Sequence, residues 1–162
     1  MITQRIARLS AFKKAKQVMF YLPIKGEVNL EGLFEKYRSQ KNFILPKVSK
    51  KTLKLFFIRN LEETSAGAFK IREPKAGLKK ALPEDIECIL VPGIVFGYDG
   101  HRIGYGKGFY DRLLKKTNST KIGVAYNFQM VKNIPGESHD VPMNMIVTEK
   151  GIIRLKKHKP IS

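Results

Sequence analysis

Residues 87–116 read ECILVPGIVFGYDGHRIGYGKGFYDRLLKK, and how this stretch divides decides the fold. Its opening, ECILVP, is a short apolar run closed by Pro92, the pattern of a strand buried on both faces. Asp99-Gly100 between apolar flanks predicts a two-residue hairpin turn. Glycines 104, 106 and 108 follow in alternate positions. After them Phe109, Leu113 and Leu114 fall at helical spacing, and Asn118 supplies a stop. The glycine loop therefore lies between a hairpin and a helix N-terminus. Free amide donors and the positive end of the helix dipole attract anions to such a place.

Outside this stretch, strand-like runs alternate with helical patterns. RIARLSAFKKAKQ (5–17) reads as one opening helix that runs into VMFYL (18–22). EGLFEKYRSQ (31–40) is helical, while NFILP (42–46), LKLFFIR (53–59), GIVFGY (93–98), KIGVAY (121–126) and MNMIVTEKGIIRL (143–155) read as strands. Short Val, Ile, Phe and Leu runs between helices predict a mostly parallel sheet covered on both faces. The expectation is one α/β domain over 1–162, a three-layer α/β/α arrangement, with a short basic C-terminal tail from about residue 154. In such folds ligands sit beyond the carboxyl ends of the strands.

The 43% hydrophobic and 28% charged content excludes an intrinsically disordered chain. Cys88, the single cysteine, stands inside CILV, so no disulfide forms within the chain. Such a residue acts as a small buried hydrophobe in a reducing, cytoplasmic setting. No run reaches the eighteen or so apolar residues of a membrane span. Thirty-one Lys and Arg against fourteen Asp and Glu give a formal charge of +17. A field of that sign attracts polyanions, whether nucleic acid, nucleotides or anionic small molecules.

Two familiar phosphate loops fail on inspection. Counting back from Gly106-Lys107, a G-x-x-x-x-G-K-[ST] loop would need glycine at His101 and a hydroxyl at Gly108. A G-x-G-x-x-G fingerprint would need glycine at Phe109. The full string RIGYGKGFYD, with Pro92-Gly93 ten residues upstream of Arg102, instead resembles the signature of the 5-formyltetrahydrofolate cyclo-ligase family, also called methenyltetrahydrofolate synthetases. YLPIKGEVN, LPKV, FKIREP and HDVPMNMIVTEKG resemble further blocks of that family, in its order, from about Arg5 to Gly151.

The resemblance implies an ATP-dependent ligase that closes 5-formyltetrahydrofolate to 5,10-methenyltetrahydrofolate, releasing ADP and phosphate, with Mg²⁺ as cofactor. It implies an ATP site along Arg102, Ile103, Gly104, Tyr105, Gly106, Lys107, Gly108, Phe109 and Tyr110. Lys107, Arg102 and Tyr105 are the expected catalytic residues, with Arg102 able to grip phosphate bidentately. Leu22, Glu27, Tyr105 and Phe109 are expected at the folate. Asp111 and Asn144 are expected at the metal, Asn144 standing where the family has an acid; an amide offers a carbonyl oxygen but no charge, and Asp140 is more readily a turn residue. The more ordinary readings are a helix-start carboxylate for Asp111, worth about 0.3–1 kcal/mol, core packing for the aromatics, and a turn acid for Glu27. The family's opening Lys-x-x-x-Arg helix, whose cations reach ATP, is not found here. Arg5 and Arg8 stand nearest, at a spacing of three. His101, His139 and His158 show no metal-ligand spacing.

The expected partners are ATP and the folate, with no membrane, no specific nucleic acid and a monomeric protein. Two competing readings are a basic nucleic-acid-binding module, motivated by LPKVSKKTLK and IIRLKKHKP, and a divergent folate or nucleotide binder without turnover. Fluorescence anisotropy with a random single-stranded oligonucleotide separates the first from an enzyme. Weak binding that collapses with salt, at a log–log slope of about −0.7 per phosphate contacted, is expected. Submicromolar, saturable binding without turnover would support the module.

Overall fold

The computed structural model describes residues 1–24, 26–67, 71–135 and 140–156. The start of FKIREP, His139, His158 and the tail beyond Lys156 lie outside them. An eight-stranded sheet runs through the molecule. Its central strands are β1 (Gln17–Met19), β2 (Asn42–Ser49), β7 (Cys88–Val91), β10 (Thr120–Val124) and β12 (Met145–Val147), all parallel. Antiparallel strands close both edges: β13 (Ile152–Arg154) beside β12, and β3 (Thr52–Ile58) then β6 (Lys80–Ala81) beside β2. Two further strands, β4 (Thr64–Ala66) and β5 (Arg72–Pro74), pair separately.

The apolar runs are continuous because both faces are covered. Along β7, Cys88 and Leu90 face one core and Ile89 and Val91 the other, as the two-residue period of a strand requires. Three helices, α1 (Ile2–Arg8), α2 (Ser10–Lys14) and α3 (Glu31–Tyr37), supply the first core with Ile2, Ile6, Phe12, Leu33 and Phe34. There Phe20, Phe34 and Phe43 meet with ring centroids 5.0–5.3 Å apart. The opposite face carries one helix, α4 (Phe109–Leu114), and a small sheet of β8 (Val95–Gly97), β9 (Arg102–Ile103) and β11 (Met130–Val131). The expected third layer is thus partly strand. Phe96 of β8 seats it: a Cβ on Gly123 of β10 would lie 2.8 Å from the Phe96 ring.

Three local expectations are corrected. The opening helix is two helices, because Leu9 is extended at φ −66°, ψ 136°. Residues three apart drift about 60° round a helix, so a straight one would carry Phe12 and Ala15 off the face of Ile2, Ile6 and Leu9. The break resets the phase and all five are buried. Lys41 then closes the second helix, donating its ammonium to the carbonyls of Phe12 at 2.7 Å, Lys13 at 3.2 Å and Ala15 at 2.6 Å. Residues 143–155 are not one strand but a hairpin, with Ile146 opposite Ile153.

The third correction concerns the hairpin leading to the glycine loop. Gly97 N–H donates to the His101 carbonyl at 2.9 Å and Gly100 N–H to the Gly97 carbonyl at 3.0 Å. Three residues, Tyr98, Asp99 and Gly100, therefore form the loop, and Gly100 takes the left-handed conformation at φ 92°. A type I turn followed by such a glycine matches the twist of the strands. Asp99 ties this loop down, accepting from the N–H groups of His101 at 3.2 Å and Ile134 at 3.1 Å. Burial alone would raise its pKa, but these donors and the His101 ring hold it below the usual carboxylate value.

A carboxyl with a depressed folded pKa contributes stability above its unfolded value and loses that contribution as pH falls through the folded one. Asp99→Ala is expected to cost about 1–3 kcal/mol near neutrality. In melting curves against pH, the gap to the parent chain should close below about pH 4. A gap that does not vary with pH would show that Asp99 acts only by shape.

Candidate active site

The site forms beyond the carboxyl ends of β1 and β7. From β7 the chain passes through Pro92 and Gly93 into the β8–β9 hairpin and returns as Gly104-Tyr105-Gly106-Lys107-Gly108 at the head of α4. The three glycines of this loop differ in cause. Gly106 and Gly108 are left-handed, at φ 83° and 69°, where a side chain is strained. Gly104 makes room, since a Cβ there would lie 2.7 Å from Arg102 Nη1. Lys107 stands exposed in the loop.

Arg102 is the buried centre, with 5% of its side chain exposed. Its Nη1 donates to the Pro92 carbonyl at 3.2 Å, Nη2 lies 3.7 Å from Asp111 Oδ1, and the guanidinium sits 5.2 Å from the Tyr110 ring centroid. Nε is buried without a partner among the described residues. Burial lowers the Arg102 pKa; Asp111, Tyr110, Asp140 and Glu27 oppose that shift. An arginine remains charged under such pressure. Burial likewise pushes the Tyr110 hydroxyl well above its ordinary pKa, against the field of Arg102.

The other wall comes from β1. Tyr21 and Leu22 are buried past its end, and the Tyr21 hydroxyl donates to the Val28 carbonyl at 2.9 Å. Glu27 closes a turn on itself: its N–H donates to the Ile24 carbonyl at 3.0 Å, and its Oε2 accepts from Ile24 N–H at 2.9 Å. Its Oε1 accepts from the Tyr105 hydroxyl at 3.2 Å, across 78 residues of chain. Burial raises the Glu27 pKa, opposed by these hydrogen bonds and by Arg102. The Tyr105 hydroxyl is pushed up to about 12 by burial and by Glu27.

Glu27, Arg102, Tyr105, Tyr110 and Asp111 thus meet in one network. Ile103 is exposed on β9, and Phe109 has one ring face covered by the Arg112 guanidinium, 5.3 Å from its centroid. Asn144 is placed apart. Its Oδ1 accepts from Lys121 N–H at 2.7 Å and its backbone bonds Lys121 and Leu155, at the amino-terminal end of β12. The amide oxygen that would face a cation is engaged there. Asp140 is the acid of that segment whose field reaches Arg102. No group of three or more His, Cys, Asp or Glu capable of holding a metal occurs among the described residues. Arg112, whose Nη2 donates to the Lys51 carbonyl at 2.6 Å, was not legible in the motif, since its partner lies 61 residues away.

The model of the 5-formyltetrahydrofolate cyclo-ligase family matches residues 1–149. A 5-formyltetrahydrofolate cyclo-ligase of Haemophilus influenzae is 33% identical over 150 residues, covering 88% of this chain and 80% of the relative. That of Escherichia coli K12 is 31% identical over 142 residues, covering 83% and 78%. Among solved structures, the 5,10-methenyltetrahydrofolate synthetase of Aquifex aeolicus superposes with a TM-score of 0.86 at 40% identity, over 99% of this chain and 82% of that one.

Asp111→Asn leaves Arg102 buried beside a neutral amide. Removing one partner of a fully buried pair costs about 3–5 kcal/mol. With Asp111 one-third exposed, about 1–2 kcal/mol is expected, seen as a fall of a few degrees in melting temperature. An unchanged melting temperature would mean that Asp111 does not neutralise Arg102.

Proposed function

We infer the division of labour in this site from the premise that the chain belongs to the 5-formyltetrahydrofolate cyclo-ligase family. The reaction spends ATP to close 5-formyltetrahydrofolate to 5,10-methenyltetrahydrofolate, releasing ADP and phosphate. A formyl amide oxygen is a poor leaving group. Its attack on the γ-phosphate breaks the bond to ADP and leaves a phosphorylated iminium-like carbon; N10 adds to that carbon and gives up its proton to solvent, and phosphate departs with the oxygen as the ring closes. Such chemistry asks for positioning and charge neutralisation rather than a protein nucleophile.

The residues divide accordingly. The amides of Gly104, Gly106 and Gly108 approach phosphate oxygens with no Cβ in the way. Lys107, exposed in the loop, brings the mobile positive charge to the transferring group. Arg102, with its Nη groups turned to Pro92 and Asp111, acts through its field rather than as a two-pronged grip. Mg²⁺, when bound, neutralises phosphate charge, and Asp111, partly exposed, would hold it. Glu27 is the acceptor for donor groups of the folate, Leu22 offers it apolar surface, and Tyr105 ties Glu27 to the loop. Tyr105 and Phe109 offer ring faces to flat substrates, Phe109 only on the side Arg112 leaves free, while Tyr110 lies against the Arg102 guanidinium. The observation that carries this reading is the Glu27–Tyr105 bond, which joins the proposed folate wall to the phosphate loop.

The test is an absorbance assay for methenyltetrahydrofolate formation with and without ATP and Mg²⁺. Turnover that requires both supports the reading, and none under any condition removes it. Glu27→Gln should raise KM for the folate by about tenfold, the worth of one hydrogen bond to a charged group. Calorimetric ATP affinity should stay near that of the parent chain. Equal losses in both would make Glu27 a structural turn residue.

A further inference from the structure

We propose that Arg112 is a positioning residue for the phosphate loop, strapping its last glycine to the tip of the β2–β3 hairpin. Three contacts converge on its guanidinium. Nη2 donates to the Lys51 carbonyl at 2.6 Å. The guanidinium carbon stands 5.3 Å from the Phe109 ring centroid. Nη1 lies against Gly108, where a Cβ would come within 2.9 Å of it. Gly108 is therefore glycine for two reasons, its left-handed backbone and the cation pressed against it.

The strap is not needed to seat the helix. Leu113 and Leu114 are buried and fasten α4 to the sheet, whereas Arg112 is exposed. Among the described residues no acid pairs with it, and these three contacts hold it in place. What it adds is a fixed point between Lys107 and Asp111, the residues on either side of Gly108, Phe109 and Tyr110. The hairpin tip is itself defined: Ser49 pairs with Thr52, and Lys50 is left-handed at φ 55°. Misplacing groups around a phosphoryl transfer by an ångström costs about a hundredfold in rate, so a loop still held at Arg102 and Asp111 but without this support beside Gly108 would lose turnover without unfolding.

The kinetic arm of the test rests on the ATP-dependent reading; the exchange arm does not. In full-length Arg112→Ala, hydrogen exchange at the residue-112 amide, bonded to the Gly108 carbonyl, and at the Ser49–Thr52 end of the hairpin should quicken by about tenfold while β7 stays protected. The kcat/KM for MgATP should fall by about tenfold to a hundredfold, with KM for the folate within about twofold. Arg112→Lys, which keeps a donor for Lys51, should recover part of both, and millimolar guanidinium should restore Arg112→Ala. Lys54→Ala removes a neighbouring charge from the same hairpin and should leave both readouts unchanged. Faster exchange with unaltered ATP kinetics overturns the positioning role. So does an equal loss for both substrates that tracks a fall in melting temperature, or a Lys54→Ala effect as large as that of Arg112→Ala. If the parent chain itself does not turn over, the cyclo-ligase reading fails, and unchanged exchange in Arg112→Ala separately removes the strap.

Discussion

A guanidinium taken almost wholly out of water must have its charge balanced close by, and around Arg102 that requirement organises the site. Its hydrogen bond to the Pro92 carbonyl fixes it to the chain leaving β7, its register opposite Phe96 fixes it to the β8–β9 hairpin, and Asp111 brings the head of α4 to its other side. Strand, hairpin and helix therefore meet at one cation. The glycine loop is the segment between Arg102 and Asp111, and its shape follows from holding those two ends together. The buried pair stabilises little by itself, because desolvation offsets the attraction. Its consequence is geometric: the loop has few places to go.

The second constraint is the turn at Glu27. Its carboxylate accepts from a backbone amide of its own turn and from Tyr105 of the loop, so one side chain joins two elements 78 residues apart. Burial disfavours its charged form while these donors favour it. A carboxylate held under opposing influences responds readily to a ligand that adds or removes a donor. On the far side of the loop, Arg112 and the hairpin tip supply a third support. Turn and hairpin thus hold the loop from two sides.

Much of this was legible in the residues. The runs VMFYL, NFILP, CILV and KIGVAY mark parallel strands because both faces of the sheet exclude water, and no alternation is needed to hide a polar side. The glycines, Lys107, Arg102 and Asp111 mark a charged loop at the head of a helix because the backbone freedom and the charge lie within ten residues of one another, and the full string carries the family resemblance. The Asp99-Gly100 turn was foreseen in place but not in length, since the glycine's left-handed conformation extends the loop back to Tyr98. The break at Leu9 left no mark, because Leu is compatible with either backbone and only the phase of Phe12 against the sheet demands it.

The sequence by itself determined the layering, the family and the residues of the loop, because those depend on local composition and on spacings within one segment. Tertiary structure alone decided which side chains share the site. Asn144 stands four residues from Asp140, yet the register of β12 against β10 turns its amide to Lys121, while the field of Asp140 reaches Arg102. Arg112 lies inside the motif, but its carbonyl partner comes from a hairpin tip 61 residues earlier. Pairings of that kind are set by how sheet, hairpin and helix pack in space, and no one-dimensional spacing carries them.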